Sequence, residues 1–207
     1  MIRILRSGEN IGDVPALKLT LISDREDPSP HSEAALSQVE RNFSPLDPDA
    51  LAALPEGSFG RAYASFMKRN GLMPFNFSSR TRALFERYPV SIRYVRLHDM
   101  IHVLLGFEPD LAGEAGVYAF VAEQHYTPTL DRAAGWSRRF ARLLFWARSR
   151  MDAAQTRGKR LAAGARILVN EPLEEMLELP LSEVRARLGI RAPMDAPLPA
   201  GASYASS

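Results

Sequence analysis

The chain has 207 residues, 46% of them apolar, which suits one globular domain of ordinary size. Lys and Arg total 26 against 24 Asp and Glu, a net charge of +2, so the balance does not point to nucleic acid. There is no cysteine; disulfides, thiolate metal sites and cysteine nucleophiles are excluded, and any metal must be held by His, Asp or Glu.

The N-terminus, MIRILRSGENIGD, has no apolar run before a small-residue cleavage site and does not read as a signal peptide. No apolar run approaches the ~20 residues needed to span a bilayer. The expected location is the cytoplasm, with attachment to the cytoplasmic face of the inner membrane left open.

The segment up to about Pro55 holds one apolar stretch, VPALKLTLIS, and then a polar, proline-containing passage. Asp47-Pro48-Asp49 precedes ALAALP, a short helix with acidic residues at its start. SFGRAYASFMKRNG places Phe59, Ala62, Tyr63, Phe66 and Met67 at helical spacing, with Ser58 as N-cap and Asn70-Gly71 as the stop. A helical stretch over about Ser79 to Arg87 is closed by Pro89, and a strong helix runs from Val90 to about Gly106. Gly113 leads into GEAGVYAFVAEQ, which stops before Pro128. Leu130 to Gly158 reads as a long helical stretch, and PLSEVRARLG takes Ser182 as N-cap and Gly189 as stop. Strand-type alternation is weak throughout. The expected class is all-α, one helical domain over 1–191 with a metal site between two helices, followed by a Pro-, Ala- and Ser-rich tail, 192–207, expected to be disordered.

On the helix carrying HDMIH, at 100° per residue, His102 falls about 40° and Asp99 about 100° from His98. Tyr94, Val95, Ile101 and Leu105 share that side, which reads as the apolar, inward face; Arg93, Arg96 and Met100 fall on the other. A buried carboxylate is costly unless paired or bound to a metal, and two His at i, i+4 let one helix offer two ligands to one metal. Eleven residues, 103–113, separate Glu114 from His102, enough chain to turn back to the same point. Two nitrogens with one or two oxygens suit Zn²⁺ or Fe²⁺ better than Ca²⁺, which prefers oxygen alone. A lone histidine on such a face is more often a hydrogen-bonded core residue; the clustering with Asp99 and Glu114 reverses that preference. An HD-type phosphohydrolase also needs a His well upstream and an Asp downstream, and only His31 lies upstream, in a polar segment.

HDxxH, eleven residues, then Glu (His98, Asp99, His102 and Glu114) resembles the hallmark of the fourth coenzyme Q biosynthesis protein family. LPEGSFGRAYASFM at 54–67 is similar to that family's Leu-Pro-Glu-Gly segment and following helix. Arg93-Tyr94, Gly106, Gly113, Gln124 with Pro128, and LSEVRARLGIRAP extend the likeness over roughly 46–195. The N-terminal region matches poorly, and Val121 stands where an acidic residue is common in the family. The resemblance implies a metal-dependent enzyme, a decarboxylase that removes the ring carboxylate from a polyprenylated para-hydroxybenzoate-type intermediate. Its cofactor would be a divalent metal, zinc ahead of iron. His98, His102 and Glu114 would be ligands, and Asp99 a ligand or a group fixing a histidine. Prenyl lipids and other ubiquinone-biosynthesis proteins are the implied partners. A non-catalytic prenyl-lipid-binding scaffold is the alternative, disfavoured because structural zinc sites are usually closed and sulfur-rich.

A polyprenyl tail needs a route from the bilayer. WSRRFARLLFWARSR, 136–150, carries five Arg and no acid. Trp136, Phe140, Leu143, Leu144 and Ala147 form its apolar face; Phe145 lies among the Arg side chains and Trp146 flanks them. That pattern fits a core helix with a solvated basic face, an anionic membrane surface, or a homodimer or partner contact.

Overall fold

The computed structural model describes residues 12–22, 24–128, 130–131 and 148–191. These form α1 (Asp13–Ile22), α2 (Ser32–Leu36), α3 (Val39–Phe43), α4 (Pro48–Ala52), α5 (Phe59–Arg69), α6 (Arg82–Phe85), α7 (Pro89–Leu105), α8 (Leu111–Glu123), α9 (Arg148–Ala162) and α10 (Leu181–Arg187). Among the described residues there is no strand, only an isolated bridge between Ser58 and Pro180.

Helix starts and stops mostly follow local chemistry. Asp47 caps α4, accepting from the Asp49 and Ala50 amides, and Ser58 caps α5, accepting from Arg61. Gly71, after α5, and Gly106, after α7, both adopt the left-handed backbone that favours glycine. The α10 start differs from expectation. Pro180 takes the cap position and Ser182 lies inside the helix. The reason is tertiary: the Leu181 amide donates to the Gly57 carbonyl, which fixes where the helix begins. The expected stretch over 79–87 is a 3-10 turn, Ser79–Thr81, followed by α6. Of the expected stretch from Leu130 to Gly158, residues 148–158 lie in α9; residues 132–147, and the tail 192–207, lie outside the described residues.

The centre of the fold is α7. Its core neighbours include Phe59, Tyr63 and Phe66 of α5 and Val117 and Phe120 of α8, while a smaller cluster, Ala16, Phe77, Phe85, Tyr88 and Ile92, ties in α1. α9 packs along α8, and the approach depends on glycine: a Cβ at Gly158 would lie 2.1 Å from the Gly116 carbonyl oxygen.

The expectation that Arg93, Arg96 and Met100 face outward is corrected: all three are buried. α7 has no solvent face to give them, because loops and the C-terminal segment cover its far side. Glu174 receives Arg93 through Nη1 at 2.5 Å and Nη2 at 2.8 Å, and the Glu171 carbonyl accepts from Nη2 at 2.7 Å. Arg96 donates to the Phe75 and Ser44 carbonyls and to Asn76 Oδ1. Two buried guanidiniums thus replace an exposed polar stripe, and they are tolerated because they are hydrogen-bonded and paired.

Both ends of α7 are closed. Glu26 accepts from the Val90 and Ser91 amides and the Ser91 hydroxyl at its N-terminus. At the C-terminus Arg157 donates to the Leu105 carbonyl, and Arg185 to those of Leu104 and Val103. The histidine-bearing helix is therefore anchored along its length and at its ends.

Candidate metal centre

His98 and His102 project one turn apart from α7, their ring centroids 4.9 Å apart and nearly perpendicular. Glu114 comes from the first turn of α8. Asp110 caps that turn, accepting from the Gly113 amide at 2.8 Å. Gly113 is required there, since a Cβ would fall 1.7 Å from the Glu108 carbonyl oxygen. The turn brings Glu114 Oε2 to 3.4 Å from His98 Nε2 and Oε1 to 3.2 Å from His102 Nε2. One ligand atom from each of the three residues lies within 4.8 Å of the other two.

The outer nitrogens are also engaged. His102 Nδ1 lies 3.2 Å from the Phe107 carbonyl oxygen and His98 Nδ1 3.1 Å from the Tyr94 hydroxyl. Phe66 stacks on the His102 ring at 5.8 Å. The His102 side chain is fully buried, whereas those of His98 and Glu114 are 19% and 35% exposed, so the cluster opens on the Glu114 side.

Burial would push the Glu114 carboxyl up, but the two imidazoles beside it outweigh burial and bring it down to about 2. Burial pulls the His98 imidazole down, yet Glu114 and Asp99 leave it above its ordinary value. Asp99 is raised, chiefly by burial and also by Glu114, with His98 and His102 offsetting part of the rise. The structure therefore gathers His98, His102 and Glu114; Asp99 is buried beside them and shares their field without joining the cluster of ligand atoms.

The donors fit a divalent metal on a specific ground. A carbonyl only accepts, so His102 Nδ1 carries the proton that bonds Phe107, and in the neutral ring Nε2 is a lone pair. That nitrogen is buried, has no hydrogen-bond partner, and faces a carboxylate oxygen. A proton on Nε2 would need an aligned hydrogen bond to Oε1, and none forms. A cation held by both atoms needs no such alignment. Histidine donating its other ring N–H to a main-chain carbonyl is the usual arrangement at metal sites.

Sequence reasoning placed Tyr94 on this face without giving it a role; its position one turn before His98 was the available signal. The Phe107 carbonyl has no side-chain signature.

A helical protein with an inward His–His–Glu cluster is the class that fold and site define. The family described as Coenzyme Q (ubiquinone) biosynthesis protein Coq4 matches residues 20–194, and the chain belongs to that family. The mitochondrial ubiquinone biosynthesis protein COQ4 homolog of Danio rerio is 32% identical over 194 residues, covering 90% of this chain and 68% of its own length. The Rattus norvegicus homolog, also mitochondrial by name, is 30% identical over 188 residues, covering 84% of this chain; the chain spans 66% of that relative's length. A crystal structure of a Nostoc punctiforme protein shares the fold. Its TM-score is 0.61 at 21% identity, covering 87% of this chain and 82% of the other. No helix among the described residues is long and apolar enough to cross a membrane.

Proposed function

We propose that this chain is a metal-dependent enzyme of ubiquinone biosynthesis that removes the ring carboxylate from a polyprenylated 4-hydroxybenzoate-type intermediate. The observation that carries the reading is the buried, unpartnered Nε2 of His102 facing Glu114, in a chain of the Coq4 family. His98, His102 and Glu114 would hold the metal, zinc ahead of iron, and Asp99 would be a further ligand or would tune the histidines. When bound, the metal supplies a Lewis acid for the substrate's oxygens and for charge developing on the ring.

The chain's own groups do the rest. Glu114 stays ionised at neutral pH because its carboxyl is depressed. His102, stacked under Phe66 and bonded to Phe107, keeps a fixed orientation. The half-exposed Glu114 side is where substrate would approach. The bond from ring carbon to carboxylate breaks, its electron pair stays on the ring, carbon dioxide leaves, and a proton from solvent takes its place.

Peripheral attachment to the cytoplasmic face of the inner membrane, contact with other pathway enzymes and homodimerisation belong to the same proposal. The direct assay is carbon dioxide release from a prenylated hydroxybenzoate by the purified, metal-loaded protein. Release that depends on Glu114 is expected. A folded, metal-loaded protein that releases none, yet restores ubiquinone in a strain lacking this family, would favour the prenyl-lipid-binding scaffold.

A further inference from the structure

The two histidines are oriented by different means. His102 is fixed by main chain, through the Phe107 carbonyl; His98 faces a side chain, the Tyr94 hydroxyl, 3.1 Å from Nδ1. We propose that Tyr94 is a positioning residue for the metal centre, its buried hydroxyl holding the His98 imidazole so that Nε2 faces Glu114. The inference rests on the metal reading above.

α7 places Tyr94 one turn before His98, and side chains four residues apart on a helix meet. The two rings lie edge to face, with centroids 5.5 Å apart at 86°. Tyr94 is buried, and its other flank rests on Tyr126, with ring centroids 5.9 Å apart. Tyr126 is itself committed elsewhere, donating its hydroxyl proton to Gln124 Oε1 at 2.7 Å. The Tyr94 ring is thus packed in place, and its hydroxyl is the group presented to His98.

A hydroxyl can accept as well as donate. With Nδ1–H donating to the Tyr94 oxygen, His98 keeps its Nε2 lone pair free on the Glu114 side, the arrangement a ligand requires. Without the hydroxyl, Nδ1 has lost this partner in a mostly buried position. The tautomer with the proton on Nε2, which blocks the ligand lone pair, then becomes favourable beside Glu114.

The test compares zinc binding by calorimetry in the wild type, Tyr94→Phe and Tyr126→Phe, with fold checked by circular dichroism. Tyr126→Phe is the control: it also removes a buried hydroxyl, but one bonded away from the histidines. Tyr94→Phe should weaken zinc binding about 10–100-fold, and Tyr126→Phe should leave it unchanged. Equal affinity in Tyr94→Phe and wild type, or an equal loss in both variants, overturns the inference. A wild type that binds no zinc overturns the metal reading beneath it. A second measurement needs no variant. Histidine ¹⁵N NMR of the zinc-loaded wild type should show His98 protonated at Nδ1, and an unprotonated Nδ1 would contradict the proposal even if Tyr94→Phe failed to fold.

Discussion

His102 and Phe107 are tied to each other twice: the Phe107 amide donates to the His102 carbonyl at 3.0 Å, and the Phe107 carbonyl accepts from His102 Nδ1 at 3.2 Å. The first bond closes the C-terminus of α7 and the second orients a candidate ligand, so helix termination and ring orientation are one structure. Gly106 makes it possible, because the chain passes through φ +66° between the two. Gly106→Ala should cost about 1 kcal/mol, since a Cβ is disfavoured in that region. It should also weaken zinc binding, because the Phe107 carbonyl shifts. Urea unfolding and zinc titration check the two halves; unchanged values in both would refute the coupling.

On the far side of α7, Glu174 neutralises a buried guanidinium, and removing that charge strands Arg93. Glu174→Gln should destabilise the protein by about 3 kcal/mol at neutral pH. Burial alone would raise the Glu174 carboxyl, but Arg93 and Arg96 hold it below its ordinary 4.5. The folded state therefore binds fewer protons at this group than the unfolded state. Its contribution is complete above about pH 4.5 and is lost as pH falls through the lower folded value. The stability gap between wild type and Glu174→Gln should accordingly narrow in acid. A gap that widens as pH falls would contradict the pairing.

Much of this was legible in the sequence because local rules governed it. Ser58, Asn70-Gly71, Gly106 and the HDMIH face follow from capping, glycine backbone and helical period, and the chain does bring His98, His102 and Glu114 together. The failures share one cause. A helical wheel sets Arg93 and Arg96 on the side away from the apolar face, but α7 has no wet face, and partners distant in sequence bury both. Ser182 was displaced as a cap by a main-chain bond to Gly57, which no local pattern announces.

Asp99 separates catalyst from scaffold. It is buried within the field of both histidines and Glu114. Asp99→Asn keeps its shape and removes its charge. In a ubiquinone-deficient strain lacking this family, the variant should keep its fold and much of its metal while losing about 10–100-fold in activity. Near-normal ubiquinone at normal protein level would count strongly against the enzyme reading.

Phe145 and Trp146 lie outside the described residues, and the expectation for them rests on sequence alone. Among the Arg side chains of 136–150 they should dock on anionic membrane. The protein should co-sediment with anionic liposomes, less so at high salt, and replacing both aromatics with Ser should weaken binding. If neither salt nor these changes has an effect, this segment is not the docking surface.

The central claim is that His98, His102 and Glu114 hold a metal, and the most direct measurement is the metal content of purified wild type, His102→Ala and Glu114→Ala. The wild type should carry about one divalent metal per chain, and both variants should lose it while keeping their helical circular dichroism. Full metal retention in both variants would contradict the assignment.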